Sequence, residues 1–351
     1  MRTLRFGILG AANIARKNWE SIYHSGNAIV TAVASRDNGR TRRFIKELQS
    51  KLPFKSAPAA LGSYDELLAS PDVDAVYIPL PTGLRKQWVL RAAAAGKHVL
   101  CEKPCGLSAL EVRKMTEACA KNRVQFMDGV MFMHHPRLDR IRRVLDDRTS
   151  VGRIKRITSN FSFHLPERAY ASNVRVNSRL EPAGCLGDLG WYCIRFTLWA
   201  MGWRMPRAVT GRILSERGAA HSPKRVPTDF SAELIFDDDT SAAFYCSFIA
   251  QYQNWVHISG DKGQLRVPDF VHPQSILETT CEVNGATLRL KNPAGRRDPA
   301  TVAQHTRMIR NFAGQIASGK LNREWPETAL KTQRVMDACL EAARKSRVIR
   351  L

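Results

Sequence analysis

Short apolar runs alternate with amphipathic stretches over the first third of the chain. Leu4, Phe6 and Ile8 recur at every second position before Gly10 opens a turn. A helix follows in which Ile14, Ala15, Trp19, Ile22 and Tyr23 fall near one face. Residues 28–34 and 73–80 read as further strands, the latter broken by Pro79-Leu80-Pro81-Thr82 before a helix over 84–95. A strand over 98–101 ends in Glu102-Lys103-Pro104. Ser108 and Glu111 then form a capping box for a helix reaching about Lys121, and 124–128 closes the region as a strand. Strands alternating with helices in this way predict a parallel, doubly wound sheet.

The texture changes from about Arg153. Ile157, Phe161 and Phe163, then Ala242, Phe244, Cys246 and Phe248, keep a period of two over longer segments. Asp237-Asp238-Asp239 and Asn284-Gly285 separate such segments as hairpin turns. The whole is therefore expected to be α/β. Residues 1–130 form the parallel-sheet domain. Residues 131–351 form an α+β domain on a large, mainly antiparallel sheet, and the last helix, about 327–344, returns to the first domain.

Composition narrows the class. The 351 residues are 44% hydrophobic and 25% charged, ordinary for a folded protein. No run is long enough to span a membrane and no secretory leader is recognisable, so a cytoplasmic protein without a membrane partner is expected. The eight cysteines form no CxxC pair and read as reduced, buried thiols. The net charge of +22 favours anionic partners. Its basic residues are spread along the chain without a helix-turn-helix, zinc-finger or RNA-recognition signature, so no specific nucleic-acid partner is expected. His134-His135-Pro136 lacks a third ligand at a recognisable spacing, so no metal is expected either, and His134 is placed near the substrate at the domain junction.

Four motifs bear on chemistry. Gly10-x-Ala12-x-x-Ala15, between strand and helix, is a softened dinucleotide fingerprint: it lets helix N-terminal amides, with Asn13 and Ile14 in the first turn, face a pyrophosphate. At the end of the second strand, where NAD enzymes usually place an acidic residue, stand Ser35 and Arg36, with Arg40, Arg42 and Arg43 beyond. A hydroxyl and clustered guanidinium groups suit a 2′-phosphate, so NADP is expected, with NAD also possible. Glu102-Lys103-Pro104 follows a strand at its carboxyl end, where open α/β sheets bind ligands. Lastly, Asp188 and Tyr192 are four apart in a glycine-rich helix start; a tyrosine beside a lysine cation can act as general acid or base. By spacing alone, that pair reads equally as a helix N-terminal charge and a core aromatic.

Together these residues resemble the glucose–fructose oxidoreductase/inositol dehydrogenase/rhizopine catabolism (Gfo/Idh/MocA) family. The likeness runs from Gly7-Ile8-Leu9-Gly10-Ala11-Ala12-Asn13-Ile14-Ala15 through Ala34-Ser35-Arg36, Tyr77 to Thr82, Glu102-Lys103-Pro104, Gly187 to Tyr192 and Ser259 to Leu265. In texture it is nearest the xylose dehydrogenase, dihydrodiol dehydrogenase and sugar ketoreductase branches. The resemblance implies a Rossmann domain and an open-faced sheet domain, with a homodimer or homotetramer formed through that sheet. It implies cofactor contacts from Gly10, Ala12, Asn13, Ile14, Ser35, Arg36, Arg40, Leu80, Pro81, Glu102 and Lys103. It further implies Lys103, Asp188 and Tyr192 as catalytic residues, with His134 and Arg175 beside a sugar-like substrate. Arg85 and Glu181-Pro182-Ala183-Gly184 depart from the family pattern. The activity implied is NADP(H)-dependent hydride transfer at a carbinol or carbonyl carbon of a sugar, polyol or cyclic diol. Two alternatives keep the same fold: a non-catalytic NADP-sensing regulator, and a glycosidase that uses bound nicotinamide transiently.

Overall fold

The computed structural model describes residues 3–275, 277–291 and 299–351. They divide into two compact units. One takes the described residues within Met1–Gly106, Leu110–His135 and Pro293–Ala329, the other those within Leu107–Ala109, Pro136–Asn292 and Leu330–Leu351.

The first unit is built on six parallel strands: β1 Leu4–Leu9, β2 Ala28–Ala34, β3 Ala59–Leu61, β4 Ala75–Ile78, β5 His98–Cys101 and β6 Phe126–Asp128. Their order, β3-β2-β1-β4-β5-β6, is that of a doubly wound sheet with its switch point between β1 and β4. β1, β4 and β5 are almost wholly buried, which explains their unbroken apolar runs. The helix Asn13–Ser25 buries Ala15, Trp19 and Ile22, whereas Ile14 and Tyr23, expected on the same face, are exposed. A hundred degrees per residue carries positions 14 and 23 to the margins of that stripe. β3 and the short helix Tyr64–Ala69 have no counterpart in the sequence pattern, because three to six residues carry too few periods to stand out.

The helix Gln304–Ala317 also belongs to the first unit, with the Phe312 ring tilted against Phe6 at 5.8 Å and Arg310 Nε donating to the Ser25 carbonyl at 3.0 Å. The last helix, Glu324–Lys345, gives the first unit only its opening turns. From Leu330 onward it belongs to the second unit, so the expected return of that helix to the first domain is largely taken over by Gln304–Ala317. Both helices are amphipathic, and periodicity does not say which apolar surface each one meets.

The second unit holds nine strands: β7 Ile154–Ser162, β8 Ala208–Arg217, β9 Val226–Ile235, β10 Ser241–Ser247, β11 Gln253–Gly260, β12 Gln264–Val267, β13 Glu278–Val283, β14 Ala286–Lys291 and β15 Ile349–Arg350. The order is β14-β13-β12-β11-β7-β10-β9-β8-β15; β7 and β10 pair in parallel and the other neighbours are antiparallel. Asn284 and Gly285, at φ of 51° and 83°, make the expected hairpin turn between β13 and β14. The helix Trp191–Ala200, buried nearly all round, covers the face that carries Ile157 and Phe161.

Candidate functional site

In the first unit the candidate residues lie along the carboxyl edge of β1, β2, β4 and β5. Gly10 has φ of +114°, and a β-carbon there would come within 3.2 Å of Leu80 Cδ2, so a residue without a side chain is required. The helix that follows starts at Asn13 with Ala12 as its N-cap. No side chain caps it and no acidic residue lies in its first turn. Its leading amides and positive dipole end thus meet the requirement of an anionic diphosphate, which makes the turn a fitting cradle for a dinucleotide.

At the end of β2, the Ser35 hydroxyl is buried and bonds the Asp37 carbonyl and Thr41 Oγ1, both at 2.7 Å. Ser35 therefore shapes the turn. Arg36 and Arg40 are exposed, and Arg40 Nη2 donates to the Ala11 carbonyl at 2.9 Å, tying the second helix to the Gly10 turn. Both guanidinium groups act on Tyr64: burial pushes its phenol upward while Arg36 and Arg40 draw it down. Tyr64 lies edge-on to Trp88 at 4.7 Å, and its hydroxyl would sit 3.6 Å from a β-carbon on Gly10. Tyr64, which the sequence pattern did not single out, thus stands beside the Gly10 turn.

Glu102, Lys103 and Pro104 follow β5, with Glu102 and Lys103 both buried. The Glu102 carboxylate is turned into the fold: Tyr77 Oη donates to Oε1 at 2.7 Å, and Asn18 Nδ2 donates to that phenol at 2.7 Å. Tyr77 is wholly buried, and burial together with the Glu102 charge pushes its phenol well above its ordinary range, so it keeps its proton and donates it. A β-carbon on Gly129 would lie 3.2 Å from the Glu102 carboxyl carbon, which is why glycine stands there. Arg85, the departure noted above, is buried. Its Nε bonds the Leu80 carbonyl at 2.7 Å, and its Nη1 bonds Thr82 Oγ1 at 2.9 Å and the Pro104 carbonyl. It braces Leu80-Pro81-Thr82 against the turn that carries Lys103. His134 Nδ1 pairs with Asn311 Nδ2 at 3.0 Å and its ring meets Trp325, so it anchors the later helices of the first unit.

The second unit carries its own group of candidate residues. A π-helical turn, Leu186–Gly190, leads into the helix Trp191–Ala200 and carries Asp188. Arg175 Nε donates to Asp188 Oδ2 at 2.7 Å, and the guanidinium lies 5.9 Å from the Phe163 ring. The charge of Asp188 raises the Arg175 pKa most, with Glu181 and Tyr192 adding to it. Tyr192 is buried, edge-on to Phe161 at 5.5 Å. Arg175, Asp188 and Tyr192, separate along the sequence, thus gather over the end of β7. Phe161 and Phe163 had been read only as strand residues.

A family model described as an oxidoreductase family with an NAD-binding Rossmann fold matches residues 4–130, and the GFO/IDH/MocA C-terminal domain matches residues 139–266. A D-xylose 1-dehydrogenase (NADP⁺) of Haloferax volcanii is 31% identical over 99% of this chain and 100% of its own length. The chain belongs to the Gfo/Idh/MocA oxidoreductase family. Another relative in it, the trans-1,2-dihydrobenzene-1,2-diol dehydrogenase of Mus musculus, is 29% identical over 98% of this chain and 96% of its own. A 3-ketoreductase of Actinomadura kijaniata, solved with NADP and TDP-benzene, superimposes with a TM-score of 0.83 at 25% identity, covering 97% of this chain and 98% of that one. No group of three or more His, Cys, Asp or Glu side chains among the described residues could hold a metal ion, and no helix among them is long and apolar enough to cross a membrane.

Proposed function

We propose that this Gfo/Idh/MocA protein is an NADP(H)-dependent dehydrogenase or reductase acting on the CH–OH or C=O carbon of a sugar, polyol or cyclic diol. The observation that carries the reading is the gathering of Arg175, Asp188 and Tyr192 over Phe161 and Phe163, in a chain that also presents Lys103 at the carboxyl edge of its nucleotide-binding sheet. The names of its relatives, an NADP-linked xylose dehydrogenase, a dihydrodiol dehydrogenase and a 3-ketoreductase solved with NADP, support that substrate range and that cofactor.

The Gly10 turn and the first turn of the following helix would hold the diphosphate, and Arg36 and Arg40 would hold the 2′-phosphate. The bound nicotinamide supplies the hydride acceptor or donor. The Lys103 ammonium polarises the substrate oxygen, and Tyr192 takes or returns the hydroxyl proton. Asp188, fixed by Arg175, orients a neighbouring hydroxyl. Glu102, tied to Tyr77, positions Lys103. The uncovered sheet face carrying Thr158, Asn160, Glu233, Tyr245 and Trp255 is the surface for a homodimer, read out by light scattering, and a cytoplasmic location is read out by fractionation.

The test is a screen with NADP⁺ and NADPH over aldoses, ketosugars, inositols and cyclic diols, followed at 340 nm. Lys103→Met should abolish turnover of the best substrate while sparing NADPH affinity. Full turnover in that variant would overturn the assignment.

A further inference from the structure

Tyr252 is 56% exposed, yet its phenol oxygen is tied down: Asn254 Nδ2 donates to it at 2.8 Å, and Asn254 is itself only 5% exposed. The other end of the same amide accepts the amides of Val271 at 3.0 Å and His272 at 3.1 Å, while the Asn254 carbonyl accepts the Phe270 amide at 2.9 Å. One buried side chain therefore holds both an exposed tyrosine and the loop that follows β12.

That loop is pinned a second time. Arg137, 4% exposed at its side chain, pairs with Asp269 Oδ1 at 2.8 Å and also reaches the carbonyls of Asp269 and Phe270. Asp269 Oδ2 accepts the Gln274 amide at 2.8 Å. Phe270 and Val271 are sealed inside, and His272 is exposed.

Strand register places Asn254 opposite Phe161, and Tyr252 immediately precedes β11. The His272 ring is edge-on to Phe161 at 5.8 Å, and Phe161 is the ring on which Tyr192 rests at 5.5 Å. Ordering exposed side chains costs rotamer entropy that burial does not return here, so rings fixed in this attitude suit a ligand that stacks on them.

We propose that Asn254 is a positioning residue of the substrate site, holding Tyr252 and His272 as an aromatic wall. That wall selects a cyclic substrate, a pyranose or ring polyol with an apolar C–H face, over an open-chain polyol. The proposal rests on the dehydrogenase reading above and adds the shape of the substrate to it.

The test uses the full chain saturated with NADP⁺ and two probes built on the same five-carbon xylose skeleton: methyl β-D-xylopyranoside, whose ring cannot open, and xylitol. Wild-type protein should bind the pyranoside more tightly. Tyr252→Leu and His272→Leu should each weaken the pyranoside about three- to tenfold while leaving xylitol and NADP⁺ unchanged. Tyr252→Phe, which keeps the ring but removes the oxygen that accepts from Asn254 Nδ2, should show a smaller loss of the same selective kind. With D-xylose as substrate, the loss should fall on KM rather than kcat. Equal binding of the two probes, binding of neither, or unchanged pyranoside affinity in Tyr252→Leu would overturn the proposal. A ring preference without any NADP⁺ reduction would overturn the dehydrogenase reading instead and leave this one standing.

Discussion

Tyr77→Phe removes a single oxygen from the buried chain that runs from Asn18 through Tyr77 to Glu102. The ring stays and no cavity opens, so the change isolates the polar contribution. Two hydrogen bonds of 2.7 Å are lost, one of them to a carboxylate. A bond to a charged group contributes about 1.5–3 kcal/mol, and the Asn18 amide, left with a long contact to Ile14, adds a smaller cost of about 1 kcal/mol. The expected destabilisation is about 2–4 kcal/mol, large against a typical stability of about 5–15 kcal/mol but compatible with folding. Urea unfolding followed by far-UV circular dichroism reads it. A double-mutant cycle with Glu102→Gln should show a coupling of about 1 kcal/mol or more, because the two groups share one short bond. Since Glu102 is joined in sequence to Lys103, kcat should also fall. A loss below about 0.5 kcal/mol together with unchanged kcat would refute the idea that this chain positions the lysine.

Other consequences are equally open to measurement. Arg36→Ala and Arg40→Ala should each weaken NADP⁺ binding about tenfold or more by calorimetry, the value of one charge-assisted contact, with little effect on NAD⁺. Arg137→Met leaves the Asp269 carboxylate buried without its partner and should cost about 3–5 kcal/mol in thermal unfolding; an unchanged melting temperature would contradict the ion-pair account. All eight cysteines are buried and burial pushes Cys119 up to about 12, so none should react with a thiol reagent in the native protein at pH 8, and all eight should react in denaturant. Hydrogen bonds from the Ser150 hydroxyl and amide lower Asp147 to about 2. A depressed carboxylate stabilises above its unfolded value and loses that contribution as pH falls through its folded value. Asp147→Asn should therefore flatten the acid limb of the stability curve between about pH 4 and pH 2.

The sequence by itself determined the fold class, the strands ending at Ala34 and Cys101, the Gly10 turn and the Asn284-Gly285 hairpin, because each depends on local periodicity or on a backbone angle that few residues accept. It also marked Lys103, Asp188 and Tyr192, whose motifs are contiguous or nearly so, whereas Arg175 came only from the family resemblance. It could not decide what Glu102, Ser35 and His134 do, since a polar side chain at a strand end looks the same whether it turns outward or braces the interior. Only the tertiary structure turned Glu102 onto Tyr77, Ser35 onto Thr41 and His134 onto Asn311. Asn254 was within reach of the pattern, as the one polar residue in the inward register of Val256 and Ile258. Its partners at 252 and 269–272 were not, because pairing between separate strands and loops is set by the register of the whole sheet, which no local spacing encodes.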